Sequence, residues 1–168
     1  MELDFNGNGI IDQIVQYDGD LPLLVKRDRN QDGHFDDFEL YRDGIINSVE
    51  ADDDFDGKLD LWVSFRRGLP VLVRKDADAD GIPDIFSGYV SGVLAYSFIR
   101  PPPAREVEMV IFFRSGIPSV EYFRKESAPG KWFAREYDVF GRPLETAEAP
   151  LDPLELLNQA NSGWVTWK

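Results

Sequence analysis

Along the chain, short runs of apolar and aromatic residues alternate with clusters of Asp, Asn and Gly on a fixed beat. Leu61-Trp-Val-Ser-Phe65 is followed by a Gly turn and then by Leu69-Pro-Val-Leu-Val73, and flanking segments repeat the arrangement. Runs of this length, rich in Val, Ile, Phe and Tyr and bounded by Gly and Asp, read as β-strands. Strands joined by turns of a few residues pair antiparallel. Tyr17, Tyr41, Phe65, Tyr89, Phe113 and Tyr137 mark a period of 24 residues. The pattern predicts an all-β fold in which six tandem hairpins form an antiparallel meander of roughly a dozen strands.

Side chains alternate across a strand. Ile14, Phe38, Trp62, Phe86 and Val110 therefore fall on one face, and the Tyr and Phe series on the other. Second strands contribute Leu21, Ile45, Leu69, Val93 and Ile117 beside Leu24, Leu72, Tyr96 and Val120. Equivalent residues should stack into ladders, as in other repeat arrays. With apolar ladders on both faces, the sheet is expected to curl, as a curled sheet or open barrel, to close, or to be covered on one side. After residue 150 the pattern changes. Asp152 at N-cap, Pro153 at N1 and Glu155 at N3, with Leu151 and Leu156 as a staple pair, predict a short helix to about Ala160. Trp164-Val-Thr-Trp167 could add a last strand. The expected organisation is a repeat array over 1–150 and a capping segment over 151–168.

The loops carry the chemistry. Asp4, Asn6, Asn8, Gly9 and Asp12 recur as Asp28, Asn30, Asp32, Gly33 and Asp36, then as Asp52, Asp54, Asp56, Gly57 and Asp60, and finally as Asp76, Asp78, Asp80, Gly81 and Asp84. Units five and six replace this loop with Arg100-Pro-Pro-Pro-Ala-Arg105 and Lys125-Glu-Ser-Ala-Pro-Gly130. A plain hairpin turn needs one or two such residues, not oxygen donors at loop positions 1, 3, 5 and 9 together. A hard divalent cation does need them: calcium takes about six to eight oxygen ligands from carboxylates, amides, carbonyls and water. Position 7 (Ile10, His34, Lys58 or Ile82) would offer a backbone carbonyl, and the glycine at position 6 a sharp turn.

This D-x-[DN]-x-[DN]-G-x-x-D pattern resembles the EF-hand-like calcium loops of dockerin modules and thrombospondin type 3 repeats. The resemblance spans the four loops and implies calcium held by the residues just named. It departs from the family at position 12, where an EF-hand carries a bidentate acid and this chain has Val15, Glu39, Val63 and Ser87. Only Glu39 could serve there, and strand alternation points it away from Asp36. The hairpins between the loops resemble MORN-type or YD-type repeats, with Tyr137-Asp138 and Gly141-Arg142 the nearest match.

Charge sharpens the picture. The net charge is −13, of which residues 1–100 hold −11 (21 acids against 10 bases) and residues 101–168 only −2 (10 against 8). Four bound Ca²⁺ would bring −13 to −5. Such a balance argues against nucleic-acid binding, which needs a basic surface. With no cysteine and one histidine, disulfides, thiolate sites, His-pair metal sites and a cysteine nucleophile are excluded. No apolar run approaches the roughly 20 residues of a membrane span. No signal peptide is read ahead of the first repeat, so a mature form or a segment of a larger protein is expected.

Carboxylate count grades the loops: two in loop one (Asp4, Asp12), three in loop two (Asp28, Asp32, Asp36) and four each in loops three and four. Loops three and four should fill first and loop one last. The acids are spread over four equivalent turns, which fits similar ion sites better than one catalytic cleft, so no enzyme is expected. Two roles are weighed: calcium stapling neighbouring hairpins into a rigid scaffold, and a calcium-dependent surface for a protein or glycan partner. Weak graded sites suit an extracellular, periplasmic or cell-surface setting.

Overall fold

A computed structural model describes residues 1–101 and 106–161. A short β1 (Glu2–Leu3) precedes six hairpins: β2 (Gln13–Asp18) with β3 (Leu21–Arg27), β4 (Asp37–Arg42) with β5 (Ile45–Ala51), and β6 (Leu61–Arg66) with β7 (Leu69–Lys75). They continue as β8 (Ile85–Val90) with β9 (Val93–Ile99), β10 (Met109–Arg114) with β11 (Ile117–Arg124), and β12 (Trp132–Tyr137) with β13 (Pro143–Glu148). One helix, α1 (Pro153–Asn161), follows. The thirteen strands form one antiparallel sheet in sequential order, and that order is linear rather than closed into a barrel. The meander expected from the 24-residue period is therefore the fold. The chain forms two compact units, Met1–Val93 and Leu94–Lys168, and all four acidic loops belong to the first.

In the first unit the hairpin ends are tight two-residue turns. Asp43-Gly44 and Arg67-Gly68 have positive φ at both central residues, the type I′ pattern whose twist matches paired strands. Gly44 also has a second reason to lack a Cβ, which would lie 3.0 Å from Leu21 Cδ2 of the preceding hairpin. The hairpins β2–β3, β4–β5 and β6–β7 each carry a bulge at the same place. Gln16 pairs with Leu24 but Tyr17 with Pro22, leaving Leu23 as the extra residue; Asn47 and Val71 are its counterparts. The bulge puts Leu21 and Leu24 on one face although they are three residues apart, because their partners Asp18 and Gln16 share that face.

Register defines two ladders. One runs Val15, Val25, Glu39, Val49, Val63, Val73 and Ser87 across the sheet. Val15 and Val25 are buried, each contributing about 2 kcal/mol of apolar transfer. Glu39 interrupts the valines, and its charge is answered there: Arg27 donates to both carboxylate oxygens at 2.6 and 3.1 Å, and the Tyr41 hydroxyl donates at 2.7 Å. The other ladder, Ile14, Lys26, Phe38, Glu50, Trp62, Arg74 and Phe86, alternates rings with charges. Lys26 lies 5.8 Å over Phe38 and Arg74 5.8 Å over Trp62, so the cations stack on the rings of this face.

The second unit has the deeper core. Phe98, Val110, Tyr122 and Ala134 pair across β9 to β12, and Val110 is fully buried. Arg124 lies 4.9 Å over the buried Trp132 ring. Glu121, also buried, accepts a 2.9 Å hydrogen bond from Tyr137. The helix begins as the sequence predicts: the Leu154 N–H donates to Asp152 Oδ1 at 2.9 Å, a cap contributing about 1 kcal/mol. Leu151 stays exposed, while Pro153 and Leu157 are the buried anchors. The last strand expected at Trp164–Trp167 lies outside the described residues.

Candidate metal centres

Each acidic loop is wound by two left-handed residues. Gly7, Gln31, Phe55 and Ala79 at position 4 have φ of 74°, 62°, 63° and 59°, and Gly9, Gly33, Gly57 and Gly81 at position 6 have φ between 87° and 94°. This path aims successive backbone N–H groups at the position-1 carboxylate. Asp28 Oδ1 accepts from Gln31 at 2.6 Å and Asp32 at 3.2 Å, and its Oδ2 accepts from Gly33 at 2.8 Å. Asp4 repeats the set with Gly7, Asn8 and Gly9, and Asp52 and Asp76 accept from Gly57 and Gly81 at 2.7 and 2.6 Å. At the far end one oxygen of the position-9 carboxylate accepts from position 2: Phe5 to Asp12 at 2.6 Å, Arg29 to Asp36 at 2.8 Å and Ala77 to Asp84 at 2.9 Å.

These bonds leave oxygens over. Asp12 Oδ1, Asp60 Oδ1 and Asp76 Oδ1 are buried without a hydrogen-bond partner, in residues only 2–5% exposed. A buried carboxylate oxygen without a donor costs free energy comparable to an uncompensated charge. In loop three, Asp52, Asp54 and Asp60 bring ligand oxygens within 4.8 Å of one another, and in loop four Asp76, Asp78 and Asp84 do the same. Three hard anionic oxygens at that spacing could hold a metal ion. Positions 1, 3 and 9 form both groups. In loops one and two position 3 is Asn6 and Asn30, whose amide oxygens accept from Asn8 and Asp32 at 2.9 and 3.1 Å.

Position 5 stands outside the two acidic groups. Asn8, Asp32, Asp56 and Asp80 each use Oδ1 to accept the N–H of position 7, which is Ile10, His34, Lys58 and Ile82, at 2.7 to 2.9 Å. That bond fixes the turn. The His34 ring is 87% exposed beside Asp32, as expected of a position that contributes backbone. Glu39 is committed to Arg27 and Tyr41, so it supplies no position-12 ligand, in line with strand alternation.

Electrostatics reflect the crowding. Burial pushes the Asp60 carboxyl above the ordinary carboxylate range. The Asp78 carboxyl is also raised, first by desolvation and then by the charges of Asp80 and Asp84. Backbone donors work the other way: the Gly9 N–H above all holds Asp4 low. At Asp76 burial opposes the charge, yet the Gly81 N–H and its neighbours outweigh it and the carboxyl is lowered.

Successive loops are linked through the backbone. Asp28 donates its N–H to the Asp12 carbonyl, Asp52 to Asp36 and Asp76 to Asp60, each at 2.8 Å. The last ligand-type residue of one loop thus abuts the first of the next. The equivalent bond is kept where the donor is no longer acidic: Arg124 donates to the Glu108 carbonyl at 3.0 Å. Between loops two and three an open cleft of about 650 Å³ is lined by Asp32, His34, Phe38, Asp52, Phe55 and Lys58 among others.

No family model matches the chain, and no curated protein matches it. The sequence pattern alone located the carboxylates. It did not show Arg29, whose side chain crosses from loop two to loop three. The only available signal was a cation at a position occupied elsewhere by Phe5, Asp53 and Ala77.

Proposed function

We propose that this chain is a non-catalytic repeat module that binds divalent cations, calcium by preference, in its four acidic loops, and that the ions staple successive hairpins into a rigid scaffold. The observation that carries this reading is Asp60 Oδ1, buried and without a donor beside Asp52 and Asp54. Like charges held this close repel strongly and raise one another's pKa, whereas a doubly charged ion would satisfy them at once. All donors in the loops are oxygen, which suits calcium, while magnesium dehydrates reluctantly and wants strict octahedral geometry. Stapling is supported by the Asp52 N–H to Asp36 carbonyl bond and its equivalents, which make each loop share backbone with the next. An extracellular, periplasmic or cell-surface setting, where calcium is plentiful, goes with this role.

A second reading, calcium-dependent docking of a protein or glycan, is favoured by the cleft between loops two and three, where Phe38 and Phe55 stand beside Asp52. Thermal melts with millimolar calcium and with EDTA test the principal reading. A ligand at 100 times its Kd stabilises the folded state by about 2.7 kcal/mol per site, so a clear rise in melting temperature is expected. Equal melting in both conditions, with no heat of binding by calorimetry, overturns it.

A further inference from the structure

We infer that Arg29, the second residue of loop two, is a positioning residue for the cation site of loop three, so that loop three binds at full strength only through an arm supplied by its neighbour. This rests on the cation-binding reading above. The Arg29 backbone is anchored at home, its N–H donating to Asp36 Oδ2 at 2.8 Å. Its side chain leaves that loop. Nη2 donates to the Asp52 carbonyl oxygen at 2.6 Å, Nη1 pairs with Asp53 Oδ1 at 3.2 Å, and the guanidinium lies 5.1 Å over the Phe55 ring. Positions 1, 2 and 4 of loop three are therefore all held from loop two.

Two of those positions matter directly for a cation. Asp52 belongs to the convergent trio with Asp54 and Asp60, and the buried, unpartnered Asp60 Oδ1 is the independent sign that a ligand belongs there. Phe55 sits at φ +63°, an unfavourable conformation for a bulky residue, and the stacked guanidinium helps to hold it. The charge of Arg29 does not fall on the trio. It is met by Asp53, which also pairs with Lys75 at 3.3 Å and is not one of the three. The Asp53 pair is half-exposed and weak by itself. The effective contact is the charge-assisted bond to the Asp52 carbonyl, which fixes the backbone of a ligand residue.

Charge and positioning predict opposite outcomes. A cation acting only by its charge would weaken a neighbouring metal site, so its removal would tighten loop three. Positioning requires removal to loosen it. The test is a calcium titration of the full chain, wild type, Arg29→Ala and Arg29→Lys, read at the backbone amide signals of Gly9, Gly33, Gly57 and Gly81. Gly57 reports loop three because its N–H donates to Asp52 Oδ2. In Arg29→Ala the half-saturation of Gly57 should rise about tenfold, the equivalent of one lost charge-assisted bond, while Gly81 is unchanged. Arg29→Lys should recover only part of the loss, since an ammonium lacks the planar fork. A Gly57 midpoint that stays or falls overturns the inference. Amide exchange at Gly57 in EDTA separates the two ideas: it should quicken in Arg29→Ala, and unchanged exchange overturns the role of Arg29. Silence of all four glycines toward calcium would instead remove the cation-binding reading.

Discussion

The backbone N–H of Asp52 donates to the carbonyl oxygen of Asp36 at 2.8 Å, so the last acid of loop two and the first of loop three are neighbours across the sheet. An ion that tightens one loop therefore acts on a residue bonded to the next. Calcium should slow amide exchange at Asp28, Asp52 and Asp76 together. Arg124, whose N–H makes the equivalent bond to Glu108 in a unit without the acidic loop, should not respond. Hydrogen exchange by NMR with and without calcium measures this directly, and an equal response at Arg124 would show a general rather than a loop-borne effect.

Filling order follows from the ligands. Loops three and four each bring three carboxylates together, while loop one has Asn6 in place of one of them and a second neutral residue, Asn8, at position 5. Loop one should be the last to saturate, with Gly9 moving at higher calcium than Gly81 in the same titration. Four indistinguishable sites, or Gly9 moving first, would contradict the ranking.

Asp60→Asn should change stability in opposite directions with and without the ion. In EDTA the substitution removes one charge from a crowded trio and gives the site an amide donor, so the variant should be more stable than wild type by about 1 kcal/mol. In calcium it lacks a carboxylate ligand and should lose both affinity and the ion's stabilisation. Urea unfolding in the two buffers reads the crossover. A variant that is less stable in both would mean that Asp60 serves the fold alone.

Much of this was legible in the sequence because the repeat made it so. Four loops in phase could not be mistaken for ordinary turns, and the Tyr17-to-Tyr137 series fixed the strand count to within one of the thirteen observed. The bulges at Leu23, Asn47, Val71 and Ser119 were not legible. With apolar residues on both faces, hydrophobic alternation does not report a slipped register. The division of labour within the loops was hidden too. Asp56 and Asp54 look equivalent in a motif, but only the backbone path shows that Asp56 spends one oxygen on the Lys58 N–H and that Asp54 joins the trio. Arg29 was hidden because its contacts lie 23 and 24 residues ahead, and one sequence position says nothing of where a long side chain reaches.

Loop conformation gives a test that needs no metal. Ala79 sits at φ +59°, where an L residue is strained by about 1 kcal/mol relative to glycine. Gly7 occupies the same position in loop one. Ala79→Gly should therefore leave stability unchanged or raise it by up to about 1 kcal/mol, whereas Gly81→Ala, at φ +90°, should lower it by at least as much. Denaturant midpoints of the two variants in EDTA decide it. If Ala79→Gly destabilises markedly, the left-handed path at position 4 is not the native one.

The ion pair within the valine ladder sets a pH dependence separate from the loops. Burial raises the Glu39 carboxyl, but the Arg27 hydrogen bonds, the Tyr41 hydroxyl and the Arg27 charge together bring it below the ordinary value. A depressed carboxylate adds stability above its unfolded pKa of about 4.3, and that stability is lost as pH falls through the lower folded value. The stability gap between wild type and Glu39→Gln should be full at neutral pH and close progressively below about pH 4. The same bond raises the Tyr41 hydroxyl to about 12, chiefly because it donates to the Glu39 carboxylate. In a spectrophotometric titration Tyr41 should ionise late in wild type and earlier in Glu39→Gln, where the acceptor is neutral. A stability gap that persists unchanged into acid would mean that ionisation of Glu39 is not its source, and no gap at neutral pH would mean that Glu39 acts through packing, which a glutamine of the same shape preserves.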